Sequence, residues 1–278
     1  MSFNTAQISR NMISDSVQNP TGGKRVRFFN AEIDPLTVGE TLQAVEGIIH
    51  SRSVTQHVVV NVAKLVMMQK DEKLCRIVNS CGLINADGWG VVWGANLLGL
   101  KIPERVAGID LFLRLVELSA EKGYRPYFLG AKQEIVEKVV RHFESNYPNL
   151  EIAGYRNGYF KEEEEFKIAK EIGQSRADIL FVAMSSPKKE LFLNQYSPLM
   201  EVPFVMGVGG SFDVVAGHVK RAPLWMQEMG LEWFYRLLSE PGRMWKRYLV
   251  TNTIFLAMIL KALLSKNDIQ CRRERLQK

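Results

Sequence analysis

The chain has 278 residues, 46% hydrophobic and 24% charged, with a formal net charge of +6, enough to bury a full core as one large domain or one domain with an appendage. Its three cysteines, Cys75, Cys81 and Cys271, have the spacing of neither a disulfide framework nor a zinc site. With no signal peptide at its start, the chain reads as a resident of a reducing cytosol. The charge is segregated: from Arg236 onward ten lysines and arginines face three carboxylates, so the rest is nearly neutral. Such a basic terminus suits phosphate, an anionic membrane or nucleic acid.

Residues 1–24 are rich in Ser, Asn, Gln and Thr without an apolar period, the pattern of a disordered lead-in. Short β-rich runs then alternate with amphipathic ones. Val26 to Phe29 reads as a strand, and Thr37 to Ser51 as a helix with Leu42, Val45, Ile48 and Ile49 on one face. A strand from His57 to Asn61 ends in a polar amide; Met67 to Asn79 is helical, and Gly82 to Ala86 is a strand. Ile109 to Lys122 is a helix closed by Gly123, with lysine in its last turn as the macrodipole favours. There follow strand Tyr127 to Leu129, helix Glu134 to Tyr147 and strand Glu151 to Ala153. The acidic run Glu162 to Glu165 opens a further helix, after which come strands Ile179 to Ala183 and Phe204 to Met206. This alternation predicts an α/β fold: a Rossmann-like, mostly parallel sheet with helices on both faces, spanning 25–229. A basic amphipathic helical appendage, 230–278, follows.

Asp87-Gly88, after the Gly82 to Ala86 strand, puts a carboxylate beside glycine at the carboxyl edge of a strand, where open α/β sheets hold their ligands. The sequence equally allows Asp87 as a helix N-cap. The run Gly207-Val208-Gly209-Gly210-Ser211-Phe212-Asp213 follows a strand, and backbone amides exposed there favour phosphate, with Lys220-Arg221 downstream; a tight structural turn is the plain alternative. It is not the dinucleotide fingerprint, and no Walker lysine follows, so a nicotinamide oxidoreductase is disfavoured. Ser186-Pro187-Lys188 sets a cation at a helix start, mildly unfavourable unless it serves a ligand. No histidine, aspartate and glutamate cluster has metal-ligand spacing, and no nucleophile elbow occurs, so phosphate chemistry would fall to arginine and lysine. On a helical wheel Arg236, Arg243 and Arg247 share a stripe opposite Leu231, Phe234, Leu238, Trp245 and Leu249, with a break at Pro241-Gly242. Tyr248 to Leu264 is apolar but short and flanked by cations, which suits lying on a membrane surface rather than crossing it; a hairpin packed on the body or on a partner chain is the alternative. The tail has no nucleic-acid motif.

Several stretches together resemble the WecG/TagA/CpsF glycosyltransferases (family 26): Ala86-Asp87-Gly88, Pro103-Glu104-Arg105-Val106-Ala107-Gly108, Gly158-Tyr159-Phe160, the glycine-rich run with Met206, Gly217-His218-Val219-Lys220-Arg221-Ala222-Pro223, and Gly230-Leu231-Glu232-Trp233-Phe234-Tyr235-Arg236. The resemblance implies an inverting, metal-independent transferase without a cofactor, peripheral on the inner face of the plasma membrane. It would move a hexose, N-acetylhexosamine or its uronate from a UDP-sugar to a polyprenyl-diphosphate-linked saccharide, for a surface polymer or exopolysaccharide. Asp87 is then the general base. Asn61, Arg105, Lys188, Gly209, Gly210, Ser211, Asp213, Lys220 and Arg221 serve the donor, and Arg236, Arg243 and Arg247 close over the acceptor diphosphate. Two departures from the family pattern are Val59, where a threonine is usual, and Lys189, where a glutamine is usual. Apolar surface beneath a removable tail would favour self-association. The rival reading is a membrane-tethered nucleotide-sugar-binding module without catalysis.

Overall fold

The computed structural model describes residues 22–276, leaving aside the side chains of Arg243, Met244, Arg247 and residues 266–276. The expected lead-in therefore lies almost wholly outside the described residues, and so do the side chains of Arg243 and Arg247. An antiparallel hairpin comes first, β1 (Val26–Phe28) with β2 (Ala31–Ile33). The second strand is absent from the sequence reading because three residues, Ala-Glu-Ile, are too few to show alternation.

The body is a six-stranded parallel sheet in the order β4-β3-β8-β7-β5-β6, made of β3 (Thr55–Val60), β4 (Leu83–Ala86), β5 (Pro126–Gly130), β6 (Gly154–Arg156), β7 (Ile179–Ala183) and β8 (Phe204–Gly207). Strands β4, β5 and β7 are buried at every residue, as expected when both faces are covered. Under one face α1 (Val38–Ser51), α5 (Gly108–Lys122) and α6 (Gln133–Asn146) close a core containing Phe112, Phe128, Phe143, Phe181 and Phe212. The opposite face is covered in two parts. At the β3–β4 end α2 (Val62–Lys70), α3 (Glu72–Ser80), α4 (Trp89–Leu97) and the hairpin enclose Leu65, Leu74, Ile84 and Val91. At the other, α7 (Glu165–Gln174) and α8 (Lys188–Met200) enclose Ile168, Leu180 and Leu193.

Most expected elements are found, with two corrections. The helix expected over Met67 to Asn79 is two helices, because the Asp71 side chain accepts the Leu74 N–H and so caps α3 as a new start. The strand expected over Glu151 to Ala153 begins three residues later. Ala153 already lies opposite Pro126, where β5 starts, so the residues before it face no strand and only lead in.

The chain then makes two short helices, α9 (Ser211–Val215) and α10 (Leu224–Glu228), followed by α11 (Glu232–Ser239) and the 36-residue α12 (Pro241–Leu276); the break expected at Pro241-Gly242 falls at Glu240, and Pro241 and Gly242 open α12. One face of α12 joins the body: Phe255 and Ile259 are buried, Phe255 edge-on to Phe28 at 6.2 Å. Its other face is bare, with Leu249, Leu256, Leu260 and Leu264 each 60–66% exposed. Tyr248–Ser265, expected to be too short for a crossing, is long and apolar enough to cross a membrane by length and composition.

Gly94 is the notch for this docking. A β-carbon there would stand 2.8 Å from Phe255 and 3.0 Å from Ile259. Gly94→Leu should lower stability by about 1–3 kcal/mol and raise hydrogen exchange along 248–262 while leaving the sheet protected, as mass spectrometry of exchanged peptides would show.

Candidate functional site

Every strand of the parallel sheet ends on one edge, and the residues just beyond line a cleft of about 1700 Å³. Asp87 reaches it from β4, Asn61 from β3, Gly207 to Ser211 and Asp213 from β8, Ser185, Ser186 and Lys188 from β7, Lys132 from β5, and Tyr159 and Phe160 from beyond β6. Helix α11 supplies Glu232 and Arg236 on the facing side, and Glu240 and Thr251 follow from the break and α12.

Asp87 is not a helix cap. The N-cap of α4 is Gly88, with φ 93° and no side-chain cap, so the carboxylate is left for the cleft. Its N–H is bound to Val60 O at 2.9 Å, which continues the β3–β4 ladder one residue past the strand and fixes where the side chain starts. Burial pushes its carboxyl up to about 6, with Arg105 and Arg236 drawing it down and Glu232 and Asp110 pushing it up. An acid so tuned is ionised at neutral pH yet more basic than an ordinary carboxylate. Asn85, one turn of strand earlier, is fully buried and accepts from His57 Nε2 at 2.9 Å while donating to Thr41 Oγ1 at 3.1 Å, a set of bonds that braces β4 beneath Asp87. Burial holds the His57 ring down to about 4, so it is neutral there.

The other expected residues divide into two groups. Asn61, Lys188, Gly209, Gly210, Ser211, Asp213 and Arg236 all line the cleft. Asn61 also caps α2, accepting the Lys64 N–H at 3.0 Å, and Lys188 lies 4.8 Å from the Phe160 ring centroid. Ser211 is turned inward, donating its N–H and its hydroxyl to Val208 O at 3.2 and 2.8 Å. Arg105, Lys220 and Arg221 are not on the cleft wall. Arg221 makes a two-pronged ion pair with Asp110, at 2.5 and 2.8 Å, and Arg105 bonds Glu232. Lys220 and Arg221 instead border a small neighbouring cavity shared with Glu232 and Arg236.

The structure adds a buried ionic floor that sequence reasoning missed. Lys64 Nζ lies 2.7 Å from Glu190 Oε1, both side chains 6% exposed or less, and Ser186 Oγ donates to the same oxygen at 2.7 Å. Lys189 stands 3.3 Å from it. Burial alone would raise the Glu190 carboxyl, but Lys64 and Lys189 bring it down to about 2. The one signal in the sequence was Lys64 itself, a cation placed among Leu65, Val66, Met67 and Met68. Among the described residues no group of three or more His, Cys, Asp or Glu is arranged to hold a metal ion.

A family model described as the glycosyl transferase WecG/TagA/CpsF family matches residues 26–269. The chain is similar to the N-acetylglucosaminyldiphosphoundecaprenol N-acetyl-beta-D-mannosaminyltransferase of Bacillus subtilis, 41% identical over 180 residues, which are 65% of this chain and 69% of that one. It is also similar to the enzyme of the same description from Bacillus spizizenii, 39% identical over 173 residues, 62% of this chain and 66% of that one.

Proposed function

This chain belongs to the WecG/TagA/CpsF family of glycosyltransferases, and from that premise we propose that it transfers N-acetylmannosamine from a UDP-sugar to a polyprenyl-diphosphate-linked N-acetylglucosamine, with inversion and without a metal. The observation that carries the reading is Asp87, a tuned carboxylate at the sheet edge with Arg236 among the charges acting on it. In the reaction an acceptor hydroxyl oxygen attacks the anomeric carbon from the face opposite UDP. Asp87 takes the hydroxyl proton as the new C–O bond forms, and the bond from the anomeric carbon to the diphosphate oxygen breaks with its electron pair leaving on UDP. Charge then develops on the diphosphate, where Lys188, Arg236 and the Gly209–Gly210 backbone favour it. Residues 25–229 form the catalytic domain in this reading. The segment 230–278, with its bare apolar face and basic end, lies peripherally on the membrane that carries the acceptor. As the resemblance implies, Arg243 and Arg247 would join Arg236 in serving diphosphate at the membrane side of the site.

The test is transfer from a panel of UDP-sugars to a short-chain polyprenyl-diphosphate N-acetylglucosamine with EDTA present. Metal-independent transfer of N-acetylmannosamine with inverted anomeric configuration is the expected result. Transfer that stops on chelation, or retention of configuration, would overturn the mechanism; transfer of a different sugar would overturn the choice of donor.

A further inference from the structure

Helix α11 is held to the body through a cluster of four charges. Glu232, in its first turn, accepts from Arg105 Nη1 and lies 3.6 Å from Arg221 Nε. Both arginines also face Asp110, Arg221 through its two bonds and Arg105 at 3.7 Å. Arg105 and Glu232 are 127 residues apart in the chain and both largely buried, with side chains 12% and 21% exposed. The Arg105 guanidinium sits 6.0 Å from the centroid of the Trp89 ring, and Trp89 Nε1 donates to Gln227 O at 3.0 Å, just before α11 begins. The start of α11 is thus pinned beside Trp89, two residues after Asp87.

Glu232 and Arg236 are four residues apart on α11, so they share a face one turn apart, and both line the cleft. Fixing Glu232 therefore fixes Arg236. The same carboxylate also governs how much of the Arg105 charge reaches Asp87, since a guanidinium bonded to one carboxylate attracts a second less strongly.

We propose that Glu232 is a positioning residue for transfer: by clamping Arg105 and Arg221 it seats α11 with Arg236 in the cleft and holds the Arg105 charge off the base. This rests on the transferase reading above. It also gives a use to Arg105 and Arg221, which the resemblance assigns to the donor but which here face carboxylates of this chain.

The charges acting on Asp87 are Arg105 and Asp110 from the body and Glu232 and Arg236 from α11. Further round the cleft stand Lys64, Lys132, Glu134, Lys161, Glu164, Lys188, Lys189, Asp213, His218 and Glu240. Removing the Glu232 charge takes away a group that raises the Asp87 carboxyl and releases one that lowers it. Both changes lower the Asp87 carboxyl, and Arg105 and Glu232 each act on it more strongly than Arg236, whose displacement with α11 works the other way.

The experiment compares wild type with Glu232→Gln and Glu232→Asp in three measurements: the pH profile of kcat/KM, hydrogen exchange over 231–239, and thermal unfolding. Glu232→Gln should lose about a hundredfold in kcat, the scale of a small misplacement of groups around the reacting atoms. The acid limb of its profile should move to lower pH, exchange over 231–239 should rise, and the sheet should melt as in wild type. Glu232→Asp, which keeps the charge, should recover part of the rate and return the limb toward wild type. A rate loss with an unmoved acid limb, or an unchanged rate, would overturn the proposal. If the wild type transfers nothing, the transferase reading fails, and exchange over 231–239 decides the clamp alone: protection equal in Glu232→Gln and wild type would overturn it.

Discussion

Asp87→Asn should abolish transfer, by a factor of about 10²–10⁴, while leaving UDP binding nearly unchanged. The amide keeps the size of the side chain and cannot take the acceptor proton. Wild type should show an acid limb in kcat/KM near pH 6, set by the carboxyl that burial has pushed up to about that value. The same shift predicts the stability of the variant. The folded protein binds a proton at Asp87 more tightly than the unfolded chain does, so its contribution to stability is fully present below pH 3.8 and is lost as pH rises through 6. At pH 7.5 the ionised carboxylate therefore weakens the fold, and Asp87→Asn should be more stable than wild type by about 1–3 kcal/mol. That gain should disappear below pH 4. A dead variant that melts higher separates loss of the base from loss of the fold. A binding module would have no transfer to lose, and an active Asp87→Asn would remove Asp87 from the mechanism.

The largest effect on stability is expected at Glu190. Glu190→Ala leaves Lys64 charged and buried without its partner, a situation that costs about 3–5 kcal/mol. For a chain of this size the melting temperature should fall by about 10 °C. The sign with pH is opposite to that at Asp87. The Glu190 carboxyl lies at about 2 when folded against 4.5 ordinarily, so its contribution is present above pH 4.5 and lost as pH falls through 2. The gap between wild type and Glu190→Ala should narrow over that interval in thermal melts. Replacing both partners, Lys64→Met with Glu190→Met, should recover most of the stability, because the strongly unfavourable term is a lone buried charge rather than the absence of the pair. If the double variant melts no higher than Glu190→Ala, the loss is one of packing.

Local chemistry explains which parts of this arrangement are legible in the sequence. Asp87 is visible because a short apolar strand followed by Asp-Gly announces an edge, and only the backbone at Gly88 rules out its use as a cap. Arg236 is visible from helical periodicity, and the sheet from the alternation of strand and helix patterns. The ionic floor is not visible, since Lys64 and Glu190 are 126 residues apart and meet only when α2 and α8 pack on the same face. The Arg105–Glu232 clamp is hidden for the same reason, although both residues lie within the stretches that carry the family resemblance. Arg105 and Arg221 read as donor-binding cations in sequence, whereas the structure holds them against Asp110 and Glu232, carboxylates on α5 and α11. The break at Asp71 shows the limit of periodicity: an apolar face can run through a cap that stops one helix and starts another.

The cleft is also a ruler. Asp87, Asn61, Gly209 and Lys188 follow four adjacent strands, β4, β3, β8 and β7, whose separations are set by backbone hydrogen bonds. Three strand spacings put the ends of β4 and β7 about 14 Å apart, whatever the loops beyond them contain. On the proposed reaction, substitutions at a strand end such as Val59, or past one such as Lys189, would change which sugar is recognised while the interval between the strand ends stays constant. If the chain transfers a sugar as proposed, its donor preference is then free to drift in such a scaffold without the reaction having to be rebuilt.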